Sequence, residues 1–248
     1  MTRYKAIIEY DGTHFYGFQR QSSKKETVQA FLETALQKLT KETITLAAAG
    51  RTDAGVHAKG QVIHFDLSKE WDPYDLRSGL NFYLEYVSVL SVEKVSENFH
   101  ARFTAKERWY EYHIINRPAK LSLDKYRAWH VFYPLDIQKL HEGAKFFIGV
   151  HDFSAFQSAS SLEEMPEIRI ERAIDVFDVQ SNNDHIVCTI KARSFLHNQV
   201  RMMMGSLAWY AAERISKDVI QTALEKGVKQ GLGPTAPPHG LYFMGVKY

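Results

Sequence analysis

Stretches with the spacing of strands and stretches with the spacing of helices follow one another along the chain. Residues 3–10 are rich in apolar and aromatic side chains and end at Asp11-Gly12, which predicts a strand followed by a turn. Apolar residues then recur at helical spacing behind Thr27, so residues 27–39 predict an amphipathic helix capped by this threonine. The chain is therefore expected to begin as strand, turn and helix.

A short charged segment lies between two further apolar stretches. Residues 44–49 and 62–67 predict strands, so the segment GRTDAGVHAKGQ between them (50–61) predicts a loop. A weaker helix is expected over 73–84 and a strand over 86–95. The charged residues of the loop stand among alanines and glycines, although small residues alone could form a turn.

The order of elements repeats in the second half. Residues 108–115 predict a strand whose alternation sends Tyr110, Tyr112 and Ile114 to one face. Two α+β halves with antiparallel hairpins, joined near residue 104, are the architecture that the pattern predicts. No linker-like or low-complexity stretch separates them, which leaves their sheets free to be continuous.

Turn and capping residues mark the remaining elements. Asp136 is the expected N-cap of a helix that Gly149 ends. The stretches 168–179 and 185–192 flank Ser181-Asn182-Asn183-Asp184, which predicts a hairpin. Two helices and a final strand are expected at 197–212, 217–226 and 241–246.

The composition indicates a globular protein without disulfides. With 248 residues, 45% of them hydrophobic, the chain can bury a substantial core. The single cysteine, Cys188 in HIVCTI, excludes an intrachain disulfide framework and a CxxC zinc site, and its apolar surroundings predict a packed side chain. Because the sequence has no signal-peptide pattern and no apolar run of about 18 residues, we expect a soluble, cytoplasmic protein.

Basic and aromatic residues are interleaved in one part of the chain. The net charge of +2 is too small to indicate a polyanionic partner by itself. Between 101 and 130, tryptophans and tyrosines lie among an excess of basic residues, which are Arg102, Lys106, Arg108, Arg117, Lys120, Lys125 and Arg127. This mixture suits phosphate contacts and base stacking. A half-buried strand whose polar residues face water fits it equally well.

The signatures of several common enzyme classes are missing. The sequence has no GxxxxGKS/T, no GxGxxG after a strand, no GxSxG and no HExxH, so P-loop hydrolases, Rossmann enzymes, serine esterases and zincins have no support. His57 and His64 lie too far apart for a helical metal pair, and we predict no metal site.

Two charged residues stand out from their surroundings. Asp53, in Thr-Asp-Ala-Gly, is by itself more typical of a turn residue that bonds its own backbone than of a functional group. Arg201 lies beside an apolar stripe in HNQVRMMMGSLAWYAA. It either extends its guanidinium to water or, if buried, needs a carboxylate from elsewhere in the chain. His197, one turn earlier, is more typical of a hydrogen-bonded structural histidine.

Separate stretches that span almost the whole chain resemble one family. They are YDGTHFYGFQRQ (10–21), AAAGRTDAGVHAKGQVIHFD (47–66), FHARFTAKERWYEYHIIN (99–116), HDFSAF (151–156), RSFLHNQVRMMMGSL (193–207) and APPHGLYF (236–243). With them the chain resembles the TruA family of tRNA pseudouridine synthases. GRTDAGVHA in this company is a specific signal, whereas each of the other stretches alone is weak.

The resemblance implies an enzyme that converts uridine to pseudouridine in the anticodon stem-loop of tRNA, at tRNA positions 38, 39 and 40. Asp53 matches the family's catalytic aspartate, and Tyr110 matches the tyrosine that stacks on the target uracil. Arg201 matches the arginine that pairs with the aspartate. Arg51 matches an arginine that contacts RNA and helps to hold the target nucleotide out of the stem.

The resemblance also implies a fold and partners. The family fold is α+β, with two related ferredoxin-like, RRM-like halves that form a continuous, mainly antiparallel sheet with a central active-site cleft. The half 1–104 would carry the catalytic aspartate loop, and the half 105–248 the tyrosine and arginine of the site. Members act on tRNA as homodimers without a cofactor, so tRNA and a second copy of this chain are the expected partners. No small-molecule cofactor and no membrane partner is expected.

The reaction gives the charge in the loop a purpose. Isomerisation breaks the N1–C1′ bond, turns the base and joins C5 to C1′ without redox change, which requires no cofactor. An ionised Asp53 can add to C1′ of the ribose or to C6 of the uracil, and both routes stay open. Arg201 at close range would lower the pKa of that carboxyl. The small residues on either side let a nucleotide approach closely.

Other functions stay open beside this one. A noncatalytic RNA-binding module would need the basic and aromatic surface but not Asp53, and related enzymes with altered loops modify other RNAs. A uracil methyltransferase would need a cysteine nucleophile and a cofactor loop, and a nucleoside hydrolase would release free uracil. The chain departs from the family at Trp109, where many relatives carry a basic residue. It also departs at Glu163 and Glu164, which make the loop after HDFSAF acidic.

Overall fold

The computed structural model of the chain describes residues 1–21, 25–158 and 170–248. The acidic pair Glu163 and Glu164 lies outside the described residues. The chain divides into two compact units. Unit 1 comprises Met1–Arg108 and Tyr242–Tyr248, and unit 2 comprises Trp109–Leu241.

The strands of unit 1 are arranged around one long strand, β3. They are β1 (Thr2–Tyr10), β2 (Ala47–Ala48), β3 (His57–Leu67), β4 (Val87–Val95) and β11 (Leu241–Lys247). β1 pairs antiparallel with β4 and with one edge of β3. The other edge of β3 is shared, because β2 pairs antiparallel with Ile63 and His64 while β11 pairs parallel with His57 and Ala58. The segment between β2 and β3 therefore forms a loop that leaves the sheet at β2 and returns to it at β3, the strand with which β2 pairs.

Two helices, α1 (Val28–Thr40) and α2 (Pro73–Tyr83), belong to unit 1 and pack against each other. The Thr27 side chain accepts a hydrogen bond from the Ala30 N–H at 3.3 Å, so this predicted cap is confirmed. α2 also packs on β4. The largest fully buried side chains of the unit include Tyr4, Phe65, Ile8, Leu32, Leu36 and Ile63.

The strands of unit 2 form a sheet and a separate two-stranded ribbon. The sheet contains β5 (Glu107–Asn116), β6 (Trp129–Val131), β9 (Val176–Asn182) and β10 (His185–Ala192). β10 lies between β5 and β9, and β6 pairs parallel with β5. The ribbon consists of β7 (Gly149–Asp152) and β8 (Glu171–Ile174), which pair antiparallel.

The described part of unit 2 contains the helices α3 (Ile137–Lys145), α4 (Gln199–Ala211) and α5 (Lys217–Lys226). The Asp136 carboxylate accepts hydrogen bonds from Gln138 N–H at 2.8 Å and Lys139 N–H at 3.2 Å, which confirms the predicted cap. α3 packs against α4 and β9. α4 is buried almost all round, which suits an element at the centre of its unit.

The predicted α+β class with mainly antiparallel pairing is confirmed, but several boundaries differ. Of the strand expected over 44–49 only β2 forms, and β3 begins at His57 rather than at residue 62. Residues 57–61 gain partners in β1 and β11, which are distant in sequence and therefore invisible to a local pattern.

Three further boundaries differ from the prediction. The strand expected over 168–179 is divided at Asp175 into β8, which pairs with β7, and β9, which pairs with β10. α4 begins after Asn198 because this residue has a left-handed backbone (φ 64°). α3 ends at Lys145, before the glycine expected to end it. Across the described residues, every helix is too short or too polar to span a membrane.

Candidate active site

The four candidate residues lie in two places. Arg51 and Asp53 belong to the turn 50–56 between β2 and β3 in unit 1, where Arg51 is exposed and Asp53 is half-buried. Tyr110 lies on β5 and Arg201 lies on α4, both in unit 2. Each unit therefore holds two of the four residues.

The chain enters the turn under the control of buried side chains. The Ala49 carbonyl accepts a hydrogen bond from Arg108 Nε at 2.8 Å. The Gly50 carbonyl accepts from Gln61 Nε2 at 2.9 Å, and the Gly50 N–H donates to Gln61 Oε1 at 3.4 Å. Gln61 is fully buried, so its amide gives Gly50 the pair of hydrogen bonds that a neighbouring strand would otherwise supply.

Thr52, the residue before Asp53, is fixed through both its side chain and its backbone. Its hydroxyl lies 2.7 Å from the Tyr10 hydroxyl, and its carbonyl accepts from Phe18 N–H at 3.0 Å. Burial raises the pKa of Tyr10 to about 12, although hydrogen bonds with Thr52 and Gln61 lower it. Tyr10 therefore stays a neutral phenol at neutral pH.

The backbone after Asp53 is closed by main-chain contacts. The Asp53 carbonyl accepts from Val56 N–H at 3.2 Å, and Gly55 N–H donates to the Phe15 carbonyl at 3.4 Å. Gly12 packs directly on the same turn, because an added Cβ there would lie 2.0 Å from the Val56 carbonyl oxygen. The segment 10–18 therefore contacts the turn from Thr52 to Val56.

His57, the histidine of the GRTDAGVHA motif, is held by contacts with the backbone and with an aromatic ring. Its Nδ1 accepts a hydrogen bond from Gly12 N–H at 3.1 Å. The same atom lies 3.2 Å from an Asp11 carboxylate oxygen. The ring stacks on Tyr242 with centroids 4.8 Å apart. Among the described residues, no group of three or more histidine, cysteine or acidic side chains could hold a metal ion.

Tyr110 is held by an aromatic contact. It is 8% exposed, and its ring meets Phe195 edge to face, with centroids 5.1 Å apart at 90°. The predicted alternation of β5 is confirmed, because Tyr110, Tyr112 and Ile114 are all buried. The Tyr112 hydroxyl donates to the Pro237 carbonyl at 2.6 Å, and burial raises the pKa of Tyr112 well above its usual value.

Arg201 is half-buried and held by the chain that crosses α4. Its Nε donates to the Ala236 carbonyl at 2.9 Å, and its Nη1 donates to Asn198 Oδ1 at 2.8 Å. The Ala236 N–H returns a bond to the Arg201 carbonyl at 3.0 Å. The crossing is close, because a Cβ added at Gly205 would lie 1.7 Å from the Pro234 carbonyl oxygen. Two nitrogens of the guanidinium are therefore fixed by partners in unit 2.

The other predictions about α4 are confirmed. His197 is hydrogen-bonded, since its Nδ1 lies 2.8 Å from the Ser158 hydroxyl oxygen. The apolar stripe beside Arg201 is buried; its members are Val200, Met204, Leu207 and Ala211.

In the basic and aromatic segment, several basic residues are exposed to solvent, whereas one is buried. Arg102, Lys106, Lys120, Lys125 and Arg127 are exposed. Arg108 is instead 8% exposed and donates to the Ala49 and Arg102 carbonyls at 2.8 and 2.7 Å, so it is a structural residue rather than a surface cation. Tyr10 and Gln61, which also support the turn, were not among the predicted site residues. For Gln61, the signal was a polar residue directly before the apolar run of β3.

Cys188 has the properties of a packed hydrophobic residue. It is fully buried on β10, and burial raises the pKa of its thiol to about 12. A protonated thiol without access to solvent is a poor nucleophile, so the methyltransferase alternative loses its chemical basis.

The sequence matches one protein family over most of its length. The family model described as tRNA pseudouridine synthase matches residues 6–104 and 144–248. Proteins named tRNA pseudouridine synthase A from Agrobacterium fabrum, Brucella anthropi and Sinorhizobium medicae are each 44% identical over 252 residues. The alignments cover 100% of this chain and 93%, 98% and 100% of those proteins, respectively. These values show membership of a family and not only a shared fold.

Proposed function

Since the chain belongs to the family of tRNA pseudouridine synthases, we propose that it converts uridine to pseudouridine in the anticodon stem-loop of tRNA, with Asp53 as the nucleophile. The reaction class, an isomerisation of uridine in tRNA, follows from family membership, because the relatives align with the full chain. The stem-loop target and the role of Asp53 come from the resemblance of GRTDAGVHA and its companion motifs.

The proposed reaction exchanges one bond at the ribose for another. The N1–C1′ bond breaks, the uracil turns, and a C5–C1′ bond forms. The C5 proton passes to water and N1 takes up a proton, so the product is an isomer and no electrons are gained or lost. A carboxylate that adds at C1′ or at C6 and later leaves can hold the fragments together during the turn.

The surroundings of Asp53 support its role as the nucleophile. The backbone is fixed before it, at Thr52, and after it, at Val56. Asp53 itself is half-buried, and Arg51 next to it is exposed. A carboxylate on a fixed backbone beside an exposed cation suits a site that must receive a nucleotide and its phosphate.

Tyr110 and Arg201 complete the proposed machinery. A stem uridine must leave the stack to react, at a cost of a few kcal/mol that stacking on an aromatic ring offsets. The proposal gives this stacking to Tyr110, whose ring orientation is supported by Phe195. It gives Arg201 the role of ion partner of Asp53. The bonds to Ala236 and Asn198 support that role because they fix the direction of the guanidinium.

The test is a tritium-release assay. An unmodified tRNA transcript labelled at uridine C5 is incubated with the protein without cofactor, and the pseudouridine formed is mapped. Wild-type release with sites in the anticodon stem-loop, together with at least a thousandfold loss in Asp53→Asn and nearly unchanged tRNA binding, is the expected result. Substantial residual activity in Asp53→Asn would remove Asp53 as the nucleophile.

Product analysis and tRNA-binding measurements on the same samples distinguish the alternative functions. Release of free uracil would indicate a hydrolase. Tight tRNA binding without turnover would indicate a binding module, and modification of another transcript alone would indicate another RNA substrate. Binding should weaken with salt, with a log–log slope of about −0.7 to −0.9 per phosphate contact. A flat salt response would contradict an RNA surface.

We also propose that the chain acts as a homodimer in the cytoplasm, where its tRNA substrate is found. A dimer of a 28.6 kDa chain is readily distinguished from a monomer by light scattering coupled to size exclusion. A monomer that is fully active at assay concentration would overturn this part of the proposal.

A further inference from the structure

The residues that lead to Asp53 are held by a cluster of buried polar side chains that the proposed chemistry does not use. We propose that Tyr10 and Thr52 are positioning residues for the reaction, and that their hydroxyl pair fixes the backbone from which the Asp53 carboxylate projects. This inference rests on the proposed function, because it gives them a task only if Asp53 reacts.

The first observation is the place of the pair. The Tyr10 and Thr52 hydroxyl oxygens lie 2.7 Å apart, and the two residues are 4% and 7% exposed. Tyr10 is the last residue of β1, and its Cα is paired with Ala58 on β3. Its ring also packs against Phe18, with centroids 6.2 Å apart. The hydroxyl therefore projects from the sheet to the turn.

The second observation is that Thr52 is fixed at two points at once. Its hydroxyl meets Tyr10, and its carbonyl accepts from Phe18 N–H at 3.0 Å. Because the peptide group is planar, a fixed carbonyl at Thr52 also fixes the amide nitrogen of Asp53. The side chain of Asp53 then starts from a backbone with little freedom, whereas most turns are mobile.

The third observation is that the same cluster continues back along the chain. Gln61 holds both polar backbone groups of Gly50, and it also acts on Tyr10 by lowering the pKa of that phenol. The entry to the turn and the residue before Asp53 are therefore tied to one buried network. Loss of one hydroxyl would loosen the carboxylate without removing any group that touches RNA.

A positioning role predicts a specific pattern of kinetics. A displaced carboxylate slows the bond-making step, and displacement of about 1 Å can lower a rate by about a hundredfold. Binding of tRNA is distributed over a surface and should change little. We therefore expect Tyr10→Phe and Thr52→Val to lower the single-turnover rate about tenfold to a hundredfold, with tRNA affinity within about twofold of wild type.

The variants are chosen so that stability and rate separate. Each single substitution removes one hydroxyl and leaves the other with one contact fewer, whereas the double variant Tyr10→Phe/Thr52→Val removes both hydroxyls and should recover stability. If the pair only stabilised the fold, the rate of the double variant would recover as well. A positioning role predicts that it stays at the level of the single variants. Thr52→Ser, which keeps the hydroxyl, should retain most of the rate.

A matched control lies on the same strand. Tyr4 is fully buried on β1, and its hydroxyl bonds to the backbone of Trp71, donating to the carbonyl at 3.0 Å and accepting from the N–H at 2.7 Å. Tyr4→Phe removes the same group from the same sheet at the far end of β1 from Asp53. It should lower the thermal midpoint by as much as Tyr10→Phe and leave the rate near wild type.

The experiment measures single-turnover tritium release, tRNA affinity and thermal midpoint for the set, with wild type and Asp53→Asn as references. A low rate in both singles and in the double, with Tyr4→Phe active, supports the inference. It is overturned if the double variant regains the wild-type rate, if Tyr4→Phe slows turnover equally, or if Thr52→Val stays within twofold of wild type. An active wild type with an active Asp53→Asn overturns the proposed nucleophile. An inactive wild type overturns both proposals.

Discussion

The turn that carries Asp53 and the helix end that carries Arg201 are held in place by different means. Around Asp53, buried side chains bind the backbone: Arg108 binds Ala49, Gln61 binds Gly50, and Tyr10 binds the hydroxyl of Thr52. Arg201 is positioned by a regular helix, and its side chain donates a hydrogen bond to the Ala236 carbonyl in the segment that crosses this helix. The candidate residue on the turn is thus supported by a polar network of buried side chains, whereas the candidate residue on the helix is supported by the helix and a few neighbouring groups.

The largest effect on the helix side is expected from Arg201→Met. Methionine keeps the apolar stem but removes the charge and the donors to Ala236 and Asn198. Loss of a preorganised charged donor typically lowers turnover about a hundredfold to a thousandfold. Steady-state tritium release checks this, and a wild-type rate would argue against the ion partner role.

A control arginine in the same unit makes that result specific. The Arg214 guanidinium lies 3.9 Å from the ring centroid of Tyr133 and takes no part in the proposed site. Arg214→Met should leave turnover near wild type. Equal losses in both variants would indicate a general effect of removing positive charge.

The turn should be broken most severely by Gly12→Ala. The added methyl would lie 2.0 Å from the backbone oxygen of Val56, so the turn or β1 must move. We expect a loss of about 3 kcal/mol in the free energy of unfolding and a rate at least about tenfold lower. Denaturant unfolding and tritium release measure the two effects.

Gly79→Ala is the matched control for this substitution. It adds the same methyl in the same unit, where the nearest atoms belong to the flexible Leu39 side chain at 2.7 Å. Alanine also favours a helix interior by about 1 kcal/mol over glycine. Its stability should stay close to that of wild type, and a loss as large as that of Gly12→Ala would mean that clash with backbone is not the cause.

Buried glutamines in the two regions allow a smaller and sharper comparison. Gln61→Met removes the hydrogen bonds to both backbone groups of Gly50, with an expected cost of about 2 kcal/mol and a rate about tenfold lower. Gln199 on α4 accepts one bond from Leu196 N–H at 2.8 Å, and its Nε2 has no partner among the described residues. Gln199→Met should therefore cost less stability. Unfolding curves for the pair decide this, and the reverse order would contradict the importance of the Gly50 contacts.

The smallest expected effect is a loss in the free energy of unfolding at acid pH. Burial, followed by the charges of His100 and Arg3, lowers the pKa of His64 on β3 to about 4, against 6.5 in an unfolded chain. Its contribution is therefore fully present above pH 6.5 and is lost as the pH falls from 6.5 towards 4. Between pH 7 and 5.5 we expect a loss of about 1 kcal/mol in unfolding free energy. In His64→Gln this part of the pH dependence should vanish, and an unchanged slope would contradict it.

Local patterns were sufficient wherever the deciding contact is local. Thr27 and Asp136 cap their helices as predicted because a cap depends on residues two or three positions away. The hairpin between β9 and β10 forms with Asn183 in the left-handed region (φ 54°), which the run of asparagines favours. The alternation of β5 was equally reliable.

Distant partners explain what the sequence left open. β3 begins five residues early because β11, from the other end of the chain, pairs with His57 and Ala58. Arg108 looks like one of several surface cations until its contacts with the Ala49 and Arg102 carbonyls are known. Tyr10 resembles any aromatic residue of a strand. Family motifs therefore identified the candidate reactive residues, whereas the residues that support them are recognised only by their contacts in the folded chain.

The position of β11 has a consequence for the synthesis of the protein. Tyr242 stacks on His57, and Phe243 lies so close to Gly50 that a Cβ there would be 2.9 Å from its ring. These residues enter the chain more than a hundred positions after the rest of unit 1. While the ribosome is still translating unit 2, the Asp53 turn lacks the strand that lies beside it. A nascent chain therefore lacks the complete packing around the Asp53 turn until β11 has emerged.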